Sequence, residues 1–163
     1  MKPALIIQCG ESKRDGVHLV RDLYTGPLWS TYRARCRDAG IEGVHPTLDV
    51  FVLSGQFGLR RETDALPWYQ HRLVLGEVPA LSATVRDQVH RFYPDLASRS
   101  VHFVGSALYR SVLTGAGLSV RDVAPAGADL LGMRKALSAF LRQCAPRPVL
   151  DLDSILARVK RAR

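Results

Sequence analysis

Three short apolar runs, Ala4–Gln8, residues 50–53 and Val101–Val104, each end abruptly in a cluster of small and polar residues. The clusters are Cys9-Gly10-Glu11-Ser12-Lys13, Ser54-Gly55-Gln56-Phe57-Gly58 and Gly105-Ser106. A strand that is apolar at nearly every position needs cover on both faces, which is the situation of a parallel strand inside an α/β sheet. If the three runs are neighbours in one parallel sheet, their terminal clusters meet along its carboxyl edge, where open α/β sheets place their ligand sites.

Helical patterns fall between the runs, as that arrangement requires. Residues 23–38 carry Leu28, Trp29, Tyr32 and Cys36 at helical spacing behind Thr25-Gly26-Pro27, the punctuation of a helix start. Residues 81–93 repeat Leu81, Val85, Val89 and Phe92, with Arg86, Asp87 and Arg91 on the opposite face, an amphipathic pattern. Residues 107–113 read as the helix fed by the third run, 118–123 as a fourth strand, 132–144 as a further helix and 153–159 as a short terminal one. Strand, crossover helix, strand is the βαβ unit. The expected fold is therefore α/β: a single domain over residues 1–163, a three-layer sandwich with a mostly parallel sheet of about four strands. Residues 58–79 read as one long loop carrying Trp68, Tyr69 and His71, and a loop of that length in a compact domain is usually a lid or binding loop.

Composition limits the function classes. No apolar run approaches the roughly 18 to 20 residues that cross a bilayer, and the opening Met-Lys-Pro-Ala-Leu-Ile-Ile-Gln is too brief for a secretory signal. A cytoplasmic protein with no membrane partner is expected. The three cysteines, Cys9, Cys36 and Cys144, include no Cys-x-x-Cys pair, so reduced thiols are expected. His18, His45, His71, His90 and His102 lack metal-ligand spacing, and neither a metal nor a cofactor is expected. Lys and Arg number 23 against 15 Asp and Glu, a net charge of +8. The excess gathers at Arg33, Arg35 and Arg37, at Arg60 and Arg61, and at Arg158, Lys160, Arg161 and Arg163. Such a balance favours a partner bearing phosphates, a nucleotide or nucleic acid; it also describes a surface simply solvated by arginine. The oligomeric state is open.

The three clusters supply the candidate chemistry. Cys9, Gly10, Ser12 and Lys13 combine a thiol, backbone amides freed by glycine and an ammonium, a turn able to hold an anion. Cys9 is a candidate nucleophile beside Lys13, or a small buried residue closing the strand. The Gly-x-x-x-x-Gly-Lys-Ser/Thr phosphate loop is absent. Ser54, Gly55, Gln56 and Gly58 offer a hydroxyl, an amide and close backbone approach, but Ser54 precedes its glycine, which does not fit the nucleophile elbow of serine hydrolases. Gln56 suits paired hydrogen bonds to a base edge. Trp68 and Tyr69 are either stacking platforms for a base or staples of the loop onto the core. Glu62 and Asp64 are candidates for general acid or base, or merely solvated. Gly105, with Tyr109 and Arg110 one turn on, reads as a helix start facing the same edge.

In order along the chain, Cys9-Gly10-x-x-Lys13, Leu23-Tyr24-Thr25-Gly26, Leu53-Ser54-Gly55-x-x-Gly58-Leu59, Trp68-Tyr69, Gly105-x-x-x-Tyr109-Arg110 and Pro125-x-Gly127 resemble the motifs of an uncharacterised bacterial and phage domain family. The match spans about residues 4–142. More distantly the chain is similar to the YaaA peroxide-stress family and to the catalytic domain of archaeosine synthase, which modifies a deazaguanine base in transfer RNA. The resemblance implies an α/β domain acting on nucleobases or nucleotides, with Tyr24 and Gly26 added to the pocket. Two departures stand out: Gly55 replaces the family's alanine, and Gln70 replaces the acid of its Pro-Tyr-Asp motif. The leading expectation is a nucleobase- or nucleotide-modifying enzyme, a transferase or hydrolase, whose Cys9, Lys13 and Ser54 carry the chemistry. The alternative is a non-catalytic nucleic-acid-binding protein of a stress or defence pathway.

Overall fold

A computed structural model describes residues 1–146. The reading of 153–159 as a helix lies outside the described residues. A five-stranded sheet runs in the order β4-β3-β1-β6-β7, with β1 at Ala4–Gln8, β3 at Asp49–Ser54, β4 at Gly58–Arg61, β6 at Val101–Val104 and β7 at Arg121–Asp122. Neighbours β3, β1, β6 and β7 are parallel, and β4 is antiparallel to β3 at one edge. A separate antiparallel pair joins β2, Val17–Leu19, to β5, Ala65–Pro67. The expected mostly parallel α/β sheet is present, enlarged by one antiparallel edge strand.

Among the described residues five α-helices accompany the sheet: α1, Val20–Leu23; α2, Pro27–Asp38; α3, Val78–Phe92; α4, Ala107–Gly115; and α5, Leu130–Cys144. The chain leaves β1 through α2 to β3 on one side, then returns through α3 to β6 on the other side of β1. Right-handed crossovers put helices from opposite directions of travel on opposite faces. In agreement, α2 packs on α5 and α3 on α4. Strand β1 lies between these layers, and Ala4, Leu5, Ile6 and Ile7 are fully buried, the reason its sequence is apolar without alternation.

Three sequence expectations are corrected. The helix read over 23–38 is broken at Tyr24–Gly26, because Lys13 and Tyr24 form an antiparallel bridge and Pro27 opens α2 behind an extended Gly26. The loop read over 58–79 is half structured. Gly58, at φ 69°, reverses the chain into β4, Ala65–Pro67 pairs with β2, and only the stretch from Trp68 to Val74 remains a strap. The strand read over 118–123 shrinks to Arg121–Asp122, both exposed, because an edge strand with one neighbour needs no continuous apolar face.

Candidate functional site

The direction of the winding reverses between β1 and β6, and a cleft opens there at the carboxyl ends of the two strands. Its volume is about 530 Å³, and its walls are the turn after β1 with Cys9, Gly10 and Lys13, the strap from Trp68 to Leu73, and the start of α4 with Ser106 and Tyr109. Residues far apart in the chain meet because the strands carrying them are adjacent.

Each wall is fixed by backbone pairing. Gly10 and Gly26 are neighbours, and a Cβ on Gly10 would lie in ordinary contact, 3.6 Å from the Gly26 Cα, so the turn packs on the entry to α2. The Arg14 amide donates to the Leu23 carbonyl at 2.9 Å and the Thr25 amide to the Ser12 carbonyl at 3.0 Å. These bonds hold Lys13 over the Tyr69 ring, 4.2 Å from its centroid, a cation–π contact. Burial pulls the Lys13 ammonium below its ordinary range, against opposing pulls from Cys9 and Glu11. The Trp68 amide donates to the Gly16 carbonyl at 2.8 Å, which anchors the strap.

Behind the cleft three hydroxyls form a directed series. Ser54 Oγ accepts from the amides of Gln56 at 3.2 Å and Phe57 at 3.1 Å, so its proton goes to the Tyr69 hydroxyl, 2.7 Å away. Tyr69 then donates to Tyr24 at 2.8 Å. On the other side the Tyr109 hydroxyl lies 3.2 Å from Cys9 Sγ. Burial pushes the Tyr24, Tyr69 and Tyr109 phenols above their ordinary range, so all three stay protonated donors at neutral pH.

The candidate residues separate into groups. Cys9, Gly10, Lys13, Tyr69 and Tyr109 line the cleft. Ser54 and Tyr24 are fully buried behind it, each hydrogen-bonded to the Tyr69 hydroxyl. Gly55 sits where a Cβ would come 3.1 Å from the Tyr109 hydroxyl. Ser12 and Gln56 are exposed outside the cleft. Gly58 and Gly105 are packing positions: a Cβ would meet Gln88 Oε1 at 2.3 Å and Phe103 Cζ at 2.6 Å, respectively. The helix start at Gly105 is already engaged, since the Ser106 amide donates to Gln8 Oε1 at 2.6 Å. Tyr69 is buried at 5% exposure whereas Trp68 is 47% exposed, so Trp68 offers the open aromatic face. Glu62 is buried with the Tyr32 hydroxyl donating to it at 2.6 Å and the His45 amide at 3.1 Å, and Asp64 accepts the Arg61 amide at 2.9 Å; neither lines the cleft.

Residues that sequence reasoning did not assign to the site also line the cleft: Gln8, Glu11, His71, Arg72 and Ser106. The position of Gln8 at the end of β1 was the available signal; nothing in the sequence fixes where the strap residues point. Among the described residues no group of three or more His, Cys, Asp or Glu could hold a metal ion, and no helix is long and apolar enough to cross a membrane.

No protein-family model, curated protein or solved structure matches the chain.

Proposed function

We propose that this protein binds a nucleotide or nucleobase in the cleft between the ends of β1 and β6 and modifies it. One observation carries this reading: the Cys9 thiol, the Lys13 ammonium and the aromatic rings of Trp68 and Tyr69 share one cleft of about 530 Å³, of small-molecule size and at the position where doubly wound sheets take ligands. Lys13 neutralises a phosphate or a developing negative charge. Cys9 is the nucleophile or the neighbour of an oxyanion. Trp68 stacks on the base, a contact worth about 1 to 3 kcal/mol. The resemblance of its ordered motifs to the bacterial and phage family points toward the same substrate class.

Calorimetric titration of nucleoside monophosphates and deazaguanine bases tests this. Wild-type protein should bind at least one of them, with affinity falling tenfold or more in Lys13→Ala and in Trp68→Ala. Absence of binding by every small ligand overturns the reading.

A second groove favours the alternative of a nucleic-acid-binding protein without catalysis. It lies between α2 and α5, about 600 Å³ in volume, and its lining includes Arg35, Arg134, Lys135 and Arg142 with the hydroxyls of Ser30 and Ser138. Oligonucleotide affinity that falls steeply with salt, weakens in Arg134→Gln and Arg142→Gln, and ignores Lys13→Ala would select that alternative.

A further inference from the structure

Gln8 closes the otherwise apolar β1 and lines the cleft, and the function proposed above gives it no task. Its Oε1 accepts the Ser106 amide at 2.6 Å. A main-chain N–H can only donate, so the atom it meets is the oxygen of the carboxamide, and the side chain cannot be turned end for end. Gly105 makes room for this arrangement: a Cβ there would stand 2.7 Å from Gln8 Cβ and 2.8 Å from Oε1. Gln8 Nε2 has no hydrogen-bond partner among the described residues, yet it is not one of their buried unpaired polar atoms, which are Arg60 Nε, Ser82 Oγ and Arg99 Nε. It is therefore open to solvent, and the open space beside Gln8 is the cleft. The end of β1 thus offers the cleft an oriented N–H donor. The lining around it is weighted the same way: Lys13 and Arg72 can only donate, His71 has its Nε2 3.1 Å from Glu77 Oε2, and Glu11 is the one carboxylate of the lining.

We propose that Gln8 is the specificity-determining residue of the cleft: its Nε2 donates to a carbonyl oxygen on the base of the ligand, so the cleft takes oxo-bearing bases and rejects their amino counterparts. The proposal deepens the nucleotide reading and rests on it. An oxo oxygen accepts the Nε2 proton, whereas an exocyclic amine in the same place sets donor against donor and leaves both unpaired. That loss is what gives hydrogen-bonding sites their discrimination. The Ser106 amide is the positioning group, because it holds the oxygen end of the carboxamide and leaves only the nitrogen end for a ligand. No covalent bond is made or broken in this recognition, so it is independent of whether Cys9 reacts.

Inosine and adenosine monophosphates test this, since they share phosphate and ribose and differ chiefly in carrying an oxo or an amino group on the purine. Uridine and cytidine monophosphates repeat the comparison on the smaller ring. In calorimetric titrations of the wild-type protein, the oxo member of whichever pair binds should be tighter than its amino partner by about tenfold or more. Gln8→Glu keeps an oxygen for the Ser106 amide and puts a second oxygen in place of Nε2, so the oxo-to-amino affinity ratio should fall to one or below. The added charge weakens all the phosphates alike, which leaves the ratio as the readout. Gln8→Met, with no N–H to donate, should bring the ratio to about one, and it decides if Gln8→Glu does not fold. Equal wild-type affinities for oxo and amino members, or a wild-type ratio retained in either variant, overturn the assignment to Gln8 and leave the nucleotide reading standing. Failure of all four nucleotides to bind overturns both.

Discussion

The hydroxyl of Tyr109 lies 3.2 Å from the sulfur of Cys9, although 100 positions separate them in the chain. The contact joins the first strand to the helix that follows β6, so the chemistry of the cleft and the docking of its two halves are linked.

The hydroxyl series makes Tyr69→Phe informative. The substitution keeps the ring under Lys13 and leaves Ser54 and Tyr24 without their shared partner, at a cost of about 1 to 3 kcal/mol for buried groups left unpaired. Urea unfolding should show a lowered midpoint with unchanged slope. An unchanged midpoint would mean that the three hydroxyls do not act together. Ser54→Ala should behave similarly, as a stability variant.

Alkaline pH should unfold the protein in a tyrosine-dependent way. Burial raises the phenols of Tyr24, Tyr32, Tyr69, Tyr93 and Tyr109. An unfolded tyrosine loses its proton near pH 10, whereas the folded chain holds it. Above about pH 10 the unfolded state therefore binds fewer protons, and stability that is fully present below that pH falls as pH rises, by up to about 1.4 kcal/mol per pH unit for each tyrosine. Denaturation midpoints at pH 8, 9.5 and 11 check this: a flat first interval and a steep second are expected, with tyrosinate absorbance appearing only as the protein unfolds.

Gly58, placed in the site by sequence, should prove structural, with Gly40 as the comparison. Gly58→Ala pairs a φ of 69° with a Cβ 2.3 Å from Gln88 Oε1, while Gly40→Ala has a φ of 65° and open space. Thermal melting should show Gly58→Ala losing clearly more than the roughly 1 kcal/mol that a left-handed alanine costs, and Gly40→Ala losing about that much. Equal losses would mean that Gln88 moves aside freely.

The arginines should divide by location. Arg33 donates to the carbonyls of Arg21 and Tyr24 at 2.8 and 2.7 Å, and Arg61 lies over the rings of Phe51 and Tyr93. Arg33→Ala should lower the melting temperature by several degrees, whereas Arg134→Ala on the α2–α5 groove should leave it within a degree or two. A melting temperature untouched by Arg33→Ala would contradict the structural role.

The parallel sheet was legible because β1, β3 and β6 are covered on both faces, and such strands announce themselves as unbroken apolar runs. The turn at Gly58 was not, because it depends on Gln88, which reaches from α3 to accept the Leu59 amide at 2.7 Å and donate to the Phe57 carbonyl at 2.9 Å. Glu62 read as a general acid or base, or as a solvated carboxylate, for the same reason: its burial is set by Tyr32 and His45, and neither is near it in sequence. Cys9 and Lys13 could be named because a strand end and its turn are local. Whether Tyr69 faces the cleft or the core, and that His71 finds Glu77, are decided by the path of the strap.

The cleft draws on residues 8–13, 68–73 and 106–109, so no contiguous half of the chain owns it. A nascent protein still emerging from the ribosome has its thiol but neither the phenol nor the seam beside it until the last of these segments inserts. The cleft is thus the last feature completed on folding, and a copy truncated before Tyr109 would lack one of its walls.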